Sequence, residues 1–92
     1  MIQSFKNRET EDLFHDLFVA RWKAVERPAR RKLLYLHRAR NLSDLAAPPG
    51  NHLEALPGSG KGLYSIRIND PYRICFRWNQ GEALDVEIVD YH

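Results

Sequence analysis

An acid, a phenol and an imidazole stand side by side in Asp90-Tyr91-His92, the last three residues of the sequence. Upstream, Arg73 supplies a guanidinium in a stretch where apolar and polar residues alternate. These residue types can cleave RNA through its own 2′-OH. A base removes the hydroxyl proton, a cation steadies the crowded phosphate, and an acid protonates the leaving oxygen. That route needs no metal and no other cofactor, so none is expected. The bland alternative is a polar tail, since terminal residues usually fray. Against it, the triplet follows directly on a strand pattern, which anchors it.

Other residues that could do chemistry are weaker candidates. Gly58-Ser59-Gly60-Lys61-Gly62 looks like a phosphate loop, but Ala55 and Gly62 stand where the nucleotide pattern needs a glycine and a Ser or Thr. It is better read as a glycine-rich connection with one basic residue, Lys61. His15, His37, His52 and His92 show no metal-ligand spacing. Cys75 is the sole cysteine, which excludes an internal disulfide and a thiolate zinc cluster, and no general base accompanies it.

The elements that must position these groups are helices first and strands after. Ile2 to Phe5 is a candidate first strand. Glu9, Glu11 and Asp12 load a first helical turn with negative charge, and Leu13, Phe14, Leu17 and Phe18 follow at helical spacing. That predicts a helix over 8–20, with Trp22 and Val25 continuing its apolar contact. Pro28 fits the first position of a second helix. Ala29, Leu33 and Leu36, with Leu34 beside them, give its buried stripe, and Arg30, Arg31, Lys32 and Arg38 its wet side. Leu42 to Leu45 adds a turn capped by Ser43, and Pro48-Pro49-Gly50 ends the helices.

From Gly62 the period becomes two. Tyr64, Ile66 and Ile68, then Tyr72, Ile74, Phe76 and Trp78, then Leu84, Val86 and Ile88 each alternate with polar residues, predicting three strands. His52 to Leu56 is a further short strand. A loop at 69–71 opposes Ile66 to Ile74 and Arg67 to Arg73. A three-residue loop at 79–81, with Gly81 left-handed, opposes Arg73 to Glu87. Arg67, Arg73 and Glu87 then form one row on the polar face. Two adjacent arginines repel unless something negative covers them. Glu87 serves one of them, and the row is either an ordinary charged surface or a place for a phosphate. The fold class is α+β, with two N-terminal helices packed on a curved, mainly antiparallel sheet.

Composition fits that picture. The 92 residues, 43% hydrophobic and 28% charged, suit one domain over residues 1–92. No stretch approaches the ~18 apolar residues of a membrane span. The opening Met1-Ile2-Gln3-Ser4-Phe5-Lys6 has no signal-peptide core. No membrane partner is expected, and the location expected is cytoplasmic. The net charge of +2 hides an asymmetry: residues 1–50 carry 10 basic and 6 acidic groups, residues 51–92 carry 4 and 6. The basic half suits phosphate, an acidic partner, or plain solvation.

Several segments in this order resemble the HigB toxins, the killer-protein branch of the RelE/ParE toxin superfamily. They are the opening hexapeptide, Pro49-Gly50-Asn51-His52-Leu53-Glu54, Tyr64 to Asp70, Tyr72 to Trp78, and Val89-Asp90-Tyr91-His92. The resemblance covers nearly the whole chain. It implies a compact microbial-RNase-like fold. It also implies a type II toxin that cleaves mRNA in the ribosomal A site, beside 16S ribosomal RNA. The implied partner is a helix-turn-helix antitoxin like HigA, through which alone the toxin meets operator DNA. By likeness Arg73 holds the scissile phosphate and His92 is general base or acid. Tyr91 orients a base or ribose, and Asp90 holds the imidazole or shares the proton work.

The sequence departs from some relatives, which carry a His and, three residues on, a Lys where Glu54 and Pro57 stand here. Glu54 can act as a base but cannot steady a phosphate, and Pro57 cannot replace a lysine. A weaker nuclease is expected, or one leaning on Arg73, Arg67, Lys61 and His92, with His52 compensating if the local strand is regular. Two other functions stay open: a ParE-like inhibitor of DNA gyrase without nuclease activity, and a catalytically weak toxin acting mainly in an operator-binding repressor complex. The basic second helix likewise suits either ribosomal RNA or an acidic antitoxin segment.

Overall fold

The computed structural model describes residues 1–57 and 62–90. Helices α1 (Arg8–Phe14), α2 (Glu26–Arg38) and α3 (Leu42–Ala46) precede strands β1 (Glu54–Ala55), β2 (Leu63–Arg67), β3 (Tyr72–Asn79) and β4 (Glu82–Asp90). The strands form one antiparallel sheet in the order β1-β2-β3-β4. Ile2 and Phe5 add parallel bridges to Ala83 and Val86 along the outer side of β4, so the expected first strand survives only as an edge contact. This is the expected α+β architecture, helices first and an antiparallel sheet after.

The core lies between α1, α2 and one face of the sheet. Leu13, Ala29, Leu33 and Leu36 are buried against Ile66, Ile74, Phe76, Val86 and Ile88. Helix α1 begins at Asn7, whose side chain accepts the Thr10 N–H, and acidic Glu9 and Glu11 complement its positive end. It stops at Phe14 rather than running to 20. Asp16 is left-handed at φ 64°, and Arg30 donates from Nε to the Leu13 carbonyl and from Nη2 to the Leu17 carbonyl. These bonds satisfy carbonyls at the helix end. They leave Leu17 and Phe18 exposed instead of on a buried face. A 3₁₀ segment, Ala20–Val25, then buries Trp22 and Val25.

Three other helix details differ from the sequence reading. Pro28 is the third residue of α2, still within the first turn, where N–H groups have no intrahelical acceptor. The cap of α3 is Asn41, in a reciprocal capping box with Asp44, not Ser43. Pro49–Asn51 forms one more 3₁₀ turn.

The β2–β3 register is the expected one, with Ile66 opposite Ile74 and Arg67 opposite Arg73. The β3–β4 register is not. The hairpin loop has two residues, Gln80 and Gly81, both left-handed, so Asn79 opposes Glu82. A bulge opposite Phe76, where Asp85 takes φ 53°, then adds one residue to β4. Ala83 therefore takes the buried position expected for Leu84, and Arg73 meets Val89 instead of Glu87.

Candidate active site

Arg73 sits mid-sheet with its side chain only 11% exposed. Nε donates to Ser65 Oγ at 2.8 Å, and Nη2 donates to the His52 carbonyl at 2.5 Å and the Ser65 carbonyl at 3.3 Å. The Glu54 carboxylate lies 3.9 Å from Nη2. Each partner follows from local structure. Ser65 is fully buried on β2 and faces Cys75, two residues along β3 from Arg73 and on the same face. His52 is left-handed (φ 43°, ψ 57°), immediately after the 3₁₀ turn. Glu54 opposes Ser65 on β1.

The guanidinium borders a cleft of about 440 Å³ lined by His52, Arg67, Asn69, Asp70, Pro71 and Arg73. Across it Arg67 donates from Nε and Nη2 to Asp70 Oδ1, at 3.2 and 3.0 Å. The two opposed arginines thus each have a separate carboxylate, Asp70 for Arg67 and Glu54 for Arg73. Glu87 serves neither, a correction that follows from the two-residue loop and the bulge. It opposes Cys75 and pairs with Lys6 at 3.2 Å. Two guanidiniums facing one open cleft suit an anion that both can reach.

Behind the cleft is a layer the sequence did not signal. Asn51 is fully buried, its side chain donating to the Leu45 carbonyl at 3.0 Å and accepting from Lys32 Nζ. It fixes the turn that presents His52. Lys32 was expected on the wet side of α2, yet it is half-buried. Burial holds the Lys32 ammonium below its ordinary pKa of 10.5, and the charges of Arg31 and Arg67 push it the same way. Ser65, Asn51 and Lys32 carry no motif. A serine in an alternating strand and a lysine in a basic run read as surface.

The structure brings Arg73, Arg67, His52 and Glu54 to one place. The local strand is not regular at His52, since β1 spans only Glu54–Ala55. His52 nevertheless borders the cleft, and its carbonyl holds Arg73. Asp90 closes β4 opposite Tyr72, one pair beyond Arg73–Val89, and so shares the sheet face of Tyr72 rather than that of Arg73. Lys61, Tyr91 and His92 lie outside the described residues.

Residues 3–92 match the family model described as RelE-like toxin of type II toxin-antitoxin system HigB. The chain belongs to the HigB-like toxin family. It is 40% identical over 87 residues to Toxin HigB-1 of Vibrio cholerae, covering 92% of each chain. It is also 40% identical over 53 residues to an uncharacterized protein of Haemophilus influenzae, covering 58% of this chain and 52% of that one. Membership in a type II toxin family implies an antitoxin partner for this HigB-like chain. No helix among the described residues is long and apolar enough to cross a membrane.

Proposed function

We propose that this HigB-like toxin is a ribosome-dependent mRNA endonuclease that cuts message in the A site without a metal. The observation that carries the reading is the cleft flanked by Arg67 and Arg73, with Arg73 held by Ser65 and His52 and with Glu54 3.9 Å away. An anionic phosphate would sit between the two guanidiniums, which stabilise the extra negative charge of the five-coordinate transition state. A base, His92 or Glu54, takes the 2′-OH proton. The 2′ oxygen attacks phosphorus, the bond to the 5′ oxygen breaks, and an acid returns a proton to that oxygen. The products are a 2′,3′-cyclic phosphate and a 5′-OH. Tyr91 orients the ribose or base, Asp90, on the sheet face of Tyr72, acts only indirectly by holding the His92 imidazole, and Lys61 adds positive charge from the glycine-rich connection. The chain acts as one domain over 1–92, in the cytoplasm, and its antitoxin is a helix-turn-helix protein like HigA. It reaches operator DNA only through that antitoxin.

The run of proton-transfer residues Asp90-Tyr91-His92 in the sequence favours this over a gyrase inhibitor, which needs no acid–base set. The purified protein is expected to leave free message largely intact and to cut the same message on programmed ribosomes. Blocked DNA supercoiling with no cut on ribosomes would establish the gyrase function instead. Intact message on ribosomes, with growth arrest absent on expression without antitoxin, would leave only the repressor role.

A further inference from the structure

The outer face of α2 carries a second amphipathic stripe that none of the described residues covers. Arg27, Arg31, Leu34, Tyr35 and Arg38 share one helix face by their three- and four-residue spacing. Leu34 and Tyr35 remain 40% and 39% exposed, although Ala29, Leu33 and Leu36 on the opposite face are buried. Between this stripe and α3 runs a groove of about 490 Å³, with Ala47 and Asp44 on its far wall. Asp44 is already engaged, its carboxylate accepting the Arg40 and Asn41 N–H groups.

The charges on this face are unanswered. Lys6, Arg8, Arg21, Arg30, Arg67 and Arg73 each have a carboxylate within 4 Å. Among the described residues no carboxylate pairs with Arg27, Arg31, Arg38 or Arg40. An apolar centre framed by arginines asks for a complementary surface: apolar side chains for the groove, carboxylates for the rim. RNA would satisfy the arginines and offer a base to stack on Tyr35, but would leave Leu34 without an apolar partner.

We infer that the α2–α3 groove docks an acidic amphipathic segment of a protein partner, and that the partner is the antitoxin this family implies. The inference is independent of the nuclease chemistry. Its site is lined by other residues, and its test reads binding alone.

The test is titration calorimetry of the purified protein with the antitoxin of its own system, at roughly 50 and 200 mM salt. Arg31→Glu/Arg38→Glu is expected to weaken binding about 30-fold or more at the lower salt and to flatten the salt dependence. Leu34→Glu is expected to weaken it about tenfold. All three positions are solvent-facing, and circular dichroism checks the fold. Should either variant not fold, amide shift mapping on wild-type protein decides, with antitoxin-induced shifts expected at residues 27–47. Wild-type affinity in both folded variants, or shifts confined to other elements, would overturn the inference. So would variants that bind antitoxin normally yet lose the ribosome, which would make the groove an RNA surface.

Discussion

Arg73 is held by Ser65 from two atoms and by His52 from one, and Ser65 Oγ can be removed with least disturbance. Ser65→Ala deletes the acceptor of Arg73 Nε but leaves both backbone acceptors in place. A hydrogen bond to a charged group contributes about 1.5–3 kcal/mol, so a stability loss of that order is expected in denaturant unfolding. Cleavage on ribosomes should fall roughly tenfold or more through misplacement of the guanidinium. Lys32 gives a second residue-level expectation. Its pKa is lowered in the fold, so the unfolded chain binds more protons in the alkaline window below 10.5. Stability relative to Lys32→Met should therefore rise with pH across that window and stay level at neutral pH. Paired melts of the two proteins over pH check the sign. Arg73 was legible in the sequence because the alternation of its strand puts it on the polar face and parity sets it opposite Arg67. Ser65, Asn51 and Lys32 were not, because their roles come from burial that only the tertiary packing creates.

The elements were legible where periodicity governs and illegible where single backbone angles do. Alternation fixed the faces of β2 and β3, and parity fixed the Arg67–Arg73 pairing. The β4 register depended on two features that alternation does not encode. One is a loop of two left-handed residues and the other is the bulge at Asp85, a polar residue that reads as an outward strand position. Helix α1 likewise ends where Arg30, on a different helix, donates to the Leu13 carbonyl in its last turn and to the Leu17 carbonyl just beyond it, a contact with no local signature. The loop itself can be tested. Gln80 takes φ 49° beside Gly81 at φ 82°, and asparagine tolerates that region better than glutamine. Gln80→Asn is expected to stabilise the protein by about 0.5 kcal/mol in thermal or denaturant unfolding, without moving the cleft. Gly81→Ala should destabilise it, since the added Cβ would lie 3.2 Å from the Arg40 carbonyl oxygen in a strained backbone.

At the scale of the whole molecule, charge is divided by use. The sheet carries Arg67 and Arg73 to a cleft where each meets a carboxylate and both face an anion-sized space. Helix α2 carries Arg27, Arg31 and Arg38 outward beside apolar groups, and turns Lys32 to Asn51 in the layer behind the cleft. The two surfaces are built from different elements, the cleft from the β2–β3 hairpin and the segment at His52, the groove from α2 and α3. On the function proposed above, phosphodiester cleavage happens in the cleft between Arg67 and Arg73. The most direct test is single-turnover cleavage of message on programmed ribosomes by wild-type and Arg73→Ala protein, both checked as folded, with the new termini identified. The account predicts a 2′,3′-cyclic phosphate and a 5′-OH from wild type, and a rate lower by about 10²–10³-fold in the variant. Cleavage by Arg73→Ala at the wild-type rate would contradict it.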